Sequence, residues 1–375
     1  MPFDKPHVVS PSLWALAWKR LRASRVAMVS LAIVAAFLAL IILSATGLIA
    51  KDWAKETGVN YAPPSFLGED IERAEKAATT GAASSAVSDK PTELPIQDPL
   101  ADALAAIRGE KKPAGTEAAG GESQTVDPLA DVMADIRAKG TKAEAAEARA
   151  PTLPLGGDKW GRDVLKKTIK GSETSIFVGL AAAVVATFLG TVFGAAAGYY
   201  GRWIDDFFNW FYSVFTAIPY LLLILAVAAV LQQKGTLTII LILGLTGWTG
   251  TFRLIRGEYL KHKGREYVQA ADAIGASNGR RMFVHIFPNV SHVVLVQLSI
   301  YTVAFIKAEV ILSFLGFGVP VDVVSWGSML NEAQNELILG KWWQLAAAGT
   351  AMAVLVTAFS LFTDELRDAL DPKLK

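Results

Sequence analysis

The chain has 375 residues, of which 52% are hydrophobic and 19% charged, with a formal net charge of +1 and a mean hydropathy of +0.36. Soluble chains carry about 25% charged residues, and a very polar stretch from 51 to 173 leaves the rest more apolar than the average, so an ordinary soluble protein is excluded. The near-zero charge excludes a generally basic nucleic-acid binder, and the absence of cysteine excludes disulfides, zinc–thiolate sites, iron–sulfur clusters and thiol catalysis.

In chain order, residues 1–25 come first, as a cytoplasmic amphipathic segment. Ser10-Pro11 forms an N-cap with proline at the first helical position, and Trp14, Trp18 and Leu21 recur at i, i+4 and i+7 with Lys19, Arg20 and Arg22 between them. This helix either lies on the membrane surface or serves as the aromatic and basic flank of the span that follows. A bilayer core of about 30 Å needs about 20 apolar residues of helix. Uncharged runs of suitable length cover 26–50, 174–201, 207–231, 235–252 and 342–363, and a sixth, 290–321, is interrupted by His292, Lys307 and Glu309. Six spans put both ends of the chain on one side. The run at 26–50 is too long for a signal peptide and reads as a retained first transmembrane helix.

Lys and Arg fix the orientation. With the N-terminus in the cytoplasm, sixteen of them fall in cytoplasmic segments and only Lys234 and Lys341 in the short loops opposite. Residues 51–153 then form a long insertion on the side opposite the cytoplasm. Its Ala-, Gly-, Glu- and Lys-rich part has too little apolar surface to order itself. It carries a repeat offset by 29 residues, DPLADALAAIR from Asp98 and DPLADVMADIR from Asp127, each reading as a short amphipathic helix begun by Asp and Pro. A duplicated insertion without a dedicated role is preferred to a docking motif. The core, 154–375, holds five spans.

Three further absences narrow the function. No GxxxxGK[ST] pattern occurs, so the chain should not bind ATP by itself. No nucleophile elbow is present, and the four histidines, His7, His262, His285 and His292, lack metal-ligand spacing. The informative segment is the cytoplasmic loop 258–289, EYLKHKGREYVQAADAIGASNGRRMFVHIFPN. It reads as a helix over 266–274, a break at Gly275 in the left-handed position that ends helices, a second short helix over 277–285, and Pro288 stopping that helix to start the next span. Arg280 and Arg281 beside Met282 and Phe283 make a basic, apolar-tipped knob suited to a groove on another protein.

Gln269-Ala270-Ala271, Gly275 and Ile286-Phe287-Pro288 resemble the EAA loop of bacterial ABC importer permeases. More narrowly, the chain resembles the DppC/OppC-type permeases of the dipeptide/oligopeptide/nickel group. Leu155-Gly-Gly-Asp-Lys-Trp-Gly-Arg-Asp163 is similar to the group's LGTDxxGRD. The segments Glu309 to Gly318, Ser325-Trp326-Gly327 with Met329-Leu330, and Leu366 to Pro372 also match, in family order. Gln269 stands where the name-giving glutamate of the EAA motif can sit, and the insertion after the first span exceeds the family's usual length.

The resemblance implies an all-α membrane protein of six transmembrane helices with the type I ABC importer (MetI-like) permease fold and a long, largely disordered periplasmic insertion. It also implies a second homologous permease as heterodimer partner, two cytoplasmic ABC ATPase subunits that hold ATP and Mg, and a periplasmic solute-binding protein. This chain would bind no cofactor, metal or nucleic acid and would catalyse no reaction. Gln269, Ala270, Ala271, Gly275, Ala276, Ser277, Arg280, Arg281, Phe283 and Pro288 would then form the ATPase-coupling loop. Glu309, Lys307 and Ser313 are pathway candidates, because intramembrane charge usually faces a cavity or partner; the reading preferred to that one is that the helix breaks near 315–318 and leaves both charges near the periplasmic interface. The preferred substrate is a di- or oligopeptide, with nickel or another small solute as the alternative. An ion-coupled secondary transporter would call for paired intramembrane carboxylates and inverted repeats, and only Glu309 qualifies.

Overall fold

The computed structural model describes residues 13–68 and 149–370. The chain divides into two units, Met1–Ser65 with Pro151–Lys375 and Phe66–Ala150, and the first holds the helices of the described residues. Both DPLAD copies, Ser10-Pro11 and the side chain of Trp14 lie outside the described residues, and so do the expectations attached to them.

The helices are α1 (Leu13–Ala23), α2 (Arg25–Ala45), α3 (Val164–Tyr200), α4 (Arg202–Thr216), α5 (Tyr220–Leu231), α6 (Thr236–Thr246), α7 (Thr249–Lys263), α8 (Glu266–Ala273), α9 (Asn278–Phe314), α10 (Trp326–Ile338) and α11 (Trp343–Leu370). Four of them, α2, α3, α9 and α11, are each long and apolar enough to cross a membrane, and the total is six if α4–α5 and α6–α7 each count as one bent span.

The bends depart from the straight spans read at 207–231 and 235–252. The first pair turns by 85° at residues 217–219. Pro219 disfavours helical backbone at Ile218 and becomes the N-cap of α5. The second turns by 41° at Gly247–Trp248, where Gly247 lies against the ring of Phe305. The second predicted span also begins earlier. Asp163 caps α3, its carboxylate accepting from the Leu165 N–H at 2.8 Å, so the helix starts ten residues before Thr174. Hydropathy misses that turn because it is rich in lysine. Similarly, α11 runs past Thr363 into a charged end.

The long α3 is the centre of the bundle and packs against α6, α7 and α9. Gly190, Gly194 and Gly198 seat it directly on the α7 backbone: an added Cβ would lie 2.6 Å from the Trp248 carbonyl, 2.7 Å from that of Phe252 and 2.6 Å from that of Arg256. These glycines therefore serve close helix approach. Phe208 and Phe211 of α4 stack on Phe193 and Trp248, which fastens the first bent pair to the same core. At the chain's start, α1 buries Ala17 and Leu21 against Ala369 and Leu370, while Trp18 points outward beneath the Arg22 guanidinium. The stripe of Trp18 with Leu21 is thus split, because packing on α11 selects the small residue at 17.

Residues 51–65, read as the start of the insertion, are laced to the segment before α3. The Gly58 N–H donates to the Gly161 carbonyl at 2.9 Å, Tyr61 to Asp158 at 3.0 Å and Gly157 to Ala62 at 2.8 Å.

Candidate functional site

The loop between α7 and α9 is built by helix termini. After Ala271, α8 ends in a paired closure: the Ala276 N–H donates to the Ala271 carbonyl and the Gly275 N–H to Asp272, both at 2.9 Å. That arrangement needs a left-handed residue, and Gly275 has φ +83° with open space around it. Ser277 then caps the next turn, its hydroxyl accepting from the Arg280 N–H.

The second short helix does not stop. It continues through a π-helical turn at Arg281–Ile286 into α9, and the Phe287 N–H reaches the Met282 carbonyl. Pro288 has no N–H, and its ring would press on the Val284 carbonyl in a regular α-helix. The wider π turn relieves that clash, so the helix continues through Pro288 and does not stop there, while Pro288 still stands at the first turn of the regular α-helical stretch that forms the span.

Side chains sort into an inner and an outer set. Val268, Met282 and Ile286 are buried against Tyr199, Ile255 and Tyr259, and Ala271 is buried as well. Met282 is therefore a root of the loop and no part of an exposed tip. Arg281 is also turned inward: it pairs with Asp272, bonds the Asn278 amide oxygen and lies over the Tyr199 ring. It clamps α8 to the start of α9. Exposed are Gln269, whose amide bonds the Gly264 carbonyl at 3.4 Å, and Ala270, Ser277, Arg280, Phe283 and Pro288, with Ala276 half-buried. The apolar tip is Ile274, 84% exposed, with Phe283 and Val284. Sequence reading passed over Ile274, although an isoleucine directly before a helix-ending glycine was the available signal.

From this loop α9 runs unbroken to Phe314, 37 residues or about 55 Å. Its far end closes like α8: Gly316 has φ +85°, and the Phe317 N–H donates to the Leu312 carbonyl at 2.9 Å. The break thus falls where the sequence placed it. Glu309 lies before it, fully buried, accepting from the Ser313 hydroxyl at 2.7 Å. Lys307 is on the exposed side of the helix, apart from Glu309. The three pathway candidates therefore separate: Glu309 and Ser313 are buried where α9 meets Gly327 of α10, beside the bond from the Trp326 N–H to the Ser175 hydroxyl of α3 at 3.1 Å, and Lys307 alone faces outward.

Beside that junction is a cluster the sequence reading did not identify. Lys167, 1% exposed in the first turn of α3, donates to Asp158 at 2.8 Å, Glu332 at 2.5 Å and the Gln344 amide oxygen at 3.3 Å. A cation at a helix N-terminus opposes the helix dipole, and the carboxylates offset this. Asp158 also accepts from the Trp160 and Arg162 N–H groups at 2.9 and 3.0 Å. Glu336 of α10 accepts from the Lys159 N–H at 3.2 Å, and burial pushes its carboxyl up to about 7. Three buried or half-buried acids face one ammonium. At the edge of the cluster, the Lys166 ammonium, 2.8 Å from Asp52, holds that carboxylate below its usual range. Nearby, Trp343 donates to the Gly157 carbonyl at 2.7 Å and Trp326 to that of Thr168 at 3.1 Å. The LGGDKWGRD and SWG segments are thus two sides of one clasp.

Residues 190–375 match the family of binding-protein-dependent transport system inner membrane components, and residues 12–64 match the N-terminal transmembrane domain of oligopeptide transport permease C. Among similar proteins, the dipeptide transport system permease protein DppC of Bacillus subtilis is 38% identical over 221 residues, 59% of this chain and 69% of that protein. The oligopeptide transport system permease protein OppC of the same organism is 37% identical over 221 residues, covering 59% and 72%. The OppC protein of Haemophilus influenzae is 33% identical over 228 residues, covering 60% and 73%.

Proposed function

The chain belongs to the family of binding-protein-dependent transport system inner membrane components, and on that footing we propose that it is the permease subunit of an ATP-driven importer of di- or oligopeptides. The observation that carries the mechanism is the continuity of α9. One helix joins the exposed Ile274–Phe283 tip region to the Glu309 junction about 40 Å away. A cleft on a cytoplasmic ATPase subunit holds the apolar tip, with Arg280 outward at its rim. ATP and Mg stay on those subunits, and this chain supplies no catalytic group.

Closure of the two ATPases moves the tip. Because α8 is clamped by Arg281–Asp272 and α9 is unbroken, the displacement passes to the far end as a rigid-body tilt. Differential contact between the loop and the two ATPase states is the source of coupling. A second homologous permease completes the pathway, with Lys307 facing it or the passing peptide, and a periplasmic binding protein delivers substrate. Both termini are cytoplasmic, as the sixteen-to-two distribution of Lys and Arg supports.

The test is Gly275→Asp. Any side chain at φ +83° is strained by roughly 1 kcal/mol or more, and the start of α9 is re-aimed. Uptake of labelled peptide and co-purification of ATPase should both fall, while the permease stays in the membrane. Normal uptake with full ATPase retention would overturn the coupling assignment.

A further inference from the structure

Between α2 and α11 lies a cavity of about 660 Å³, within the range of about 300–1,000 Å³ usual for ligand sites. Each helix lines it with one stripe at the spacing i, i+1, i+4, i+5, i+8: Val26, Val29 and Ile33 on one wall and Val354, Ala358 and Leu361 on the other. Ala358 and Ser30 form a buried floor, and Val29 stands 61% exposed on the rim. The Ser30 hydroxyl already donates to the Ala27 carbonyl at 3.1 Å, so between the ends of the groove Thr357 is the one other polar side chain in an otherwise apolar lining. Eight residues of helix make it about 12 Å long, most of one leaflet of a bilayer core about 30 Å thick. At one end is Arg25, exposed at the first turn of α2, with no acidic partner among the described residues. Lys19, Arg20 and Arg22 precede it in the chain.

An apolar slot of leaflet length ending in a free guanidinium is complementary to an anionic amphiphile. We infer that this groove binds one acyl chain of an anionic phospholipid, with Arg25 holding the headgroup phosphate. The guanidinium suits that geometry, since its fork pairs two phosphate oxygens at once. The site packs lipid into the seam between α2 and α11, and it stands independently of which solute the permease moves.

The experiment is native mass spectrometry of the assembled importer, full chain, released from nanodiscs of phosphatidylglycerol and phosphatidylcholine in equal amounts. Wild type should retain phosphatidylglycerol in several-fold preference. Arg25→Gln, an exposed substitution, should remove the preference and leave chain occupancy. Val29→Trp, which fills the groove from its exposed rim, should lower retention of both lipids several-fold, and Ala358→Leu gives the same reading from the floor. Equal preference in wild type and Arg25→Gln would overturn the headgroup assignment. Unchanged retention in both groove-filling variants would overturn the site. A Val354→Cys disulfide to a cysteine scanned along the second permease, formed in high yield, would show a protein helix in the slot and would likewise overturn it.

Discussion

Replacing Lys167 by Met removes the one ammonium from the clasp while keeping an unbranched chain of similar length. In the native structure Lys167 is 1% and Asp158 0% exposed, and they meet at 2.8 Å. Breaking a buried pair by deleting one partner typically costs about 3–5 kcal/mol, because the survivor is left charged and desolvated. Two features set the expectation at the lower end. Asp158 keeps its two backbone donors from Trp160 and Arg162, and Glu332, 30% exposed, can turn to water. A loss of about 3 kcal/mol lowers the melting temperature by roughly 5–10 °C for a domain of this size. The assay is thermal unfolding in detergent followed by tryptophan emission, which Trp326 and Trp343 report from within the clasp. Adding Asp158→Asn to Lys167→Met should recover about 1–2 kcal/mol by neutralising the orphaned charge. A single-variant loss below about 1 kcal/mol, or a double variant less stable than the single, would refute the reasoning.

Glu336→Gln tests the acid raised to about 7 by burial. A folded-state value above the ordinary 4.5 means the folded protein prefers the protonated form, so its contribution is complete below about pH 4.5 and is lost as pH rises through 7. Wild type should therefore lose up to about 3 kcal/mol between pH 5 and pH 8, and the Glu336→Gln variant, neutral at both pH values, should show a flatter slope; parallel melting curves for the two proteins at both pH values would count against it. Gly194→Val should disrupt α3–α7 packing, since its Cβ would sit 2.7 Å from the Phe252 carbonyl; the expected result is loss of folded permease in membrane fractions, and normal levels would contradict the close approach. Arg281→Ala should reduce ATPase co-purification more than Arg280→Ala, because Arg281 holds Asp272 and Asn278 whereas Arg280 is an exposed charge contributing about 0–1 kcal/mol; the reverse order in a pull-down would overturn the inner and outer sorting. Ile274→Asp should weaken ATPase retention without lowering the melting temperature of the permease, and a drop in both would show that Ile274 packs within the chain.

Local chemistry in the sequence determined the apolar lengths of the spans, the left-handed break at Gly275, the end of α9 near Gly316 and the family resemblance, because each depends on residues adjacent in the chain. Periodicity could not see the 85° bend at Pro219, since the run on both sides is uncharged and mostly apolar and hydropathy carries no direction. Nor did it show that the helix runs on through Pro288, because the wider π turn that admits the ring is a backbone adjustment that no pattern of side chains announces. Tertiary structure alone decided which charges belong together. Lys167 meets acids 9 and 165 positions away, whereas Lys307 and Glu309, two positions apart, face different surroundings. On a helix, neighbours in sequence diverge by 100° per residue. A buried charge takes its partner from whichever element the fold brings to it, and that choice is fixed by packing across the bundle.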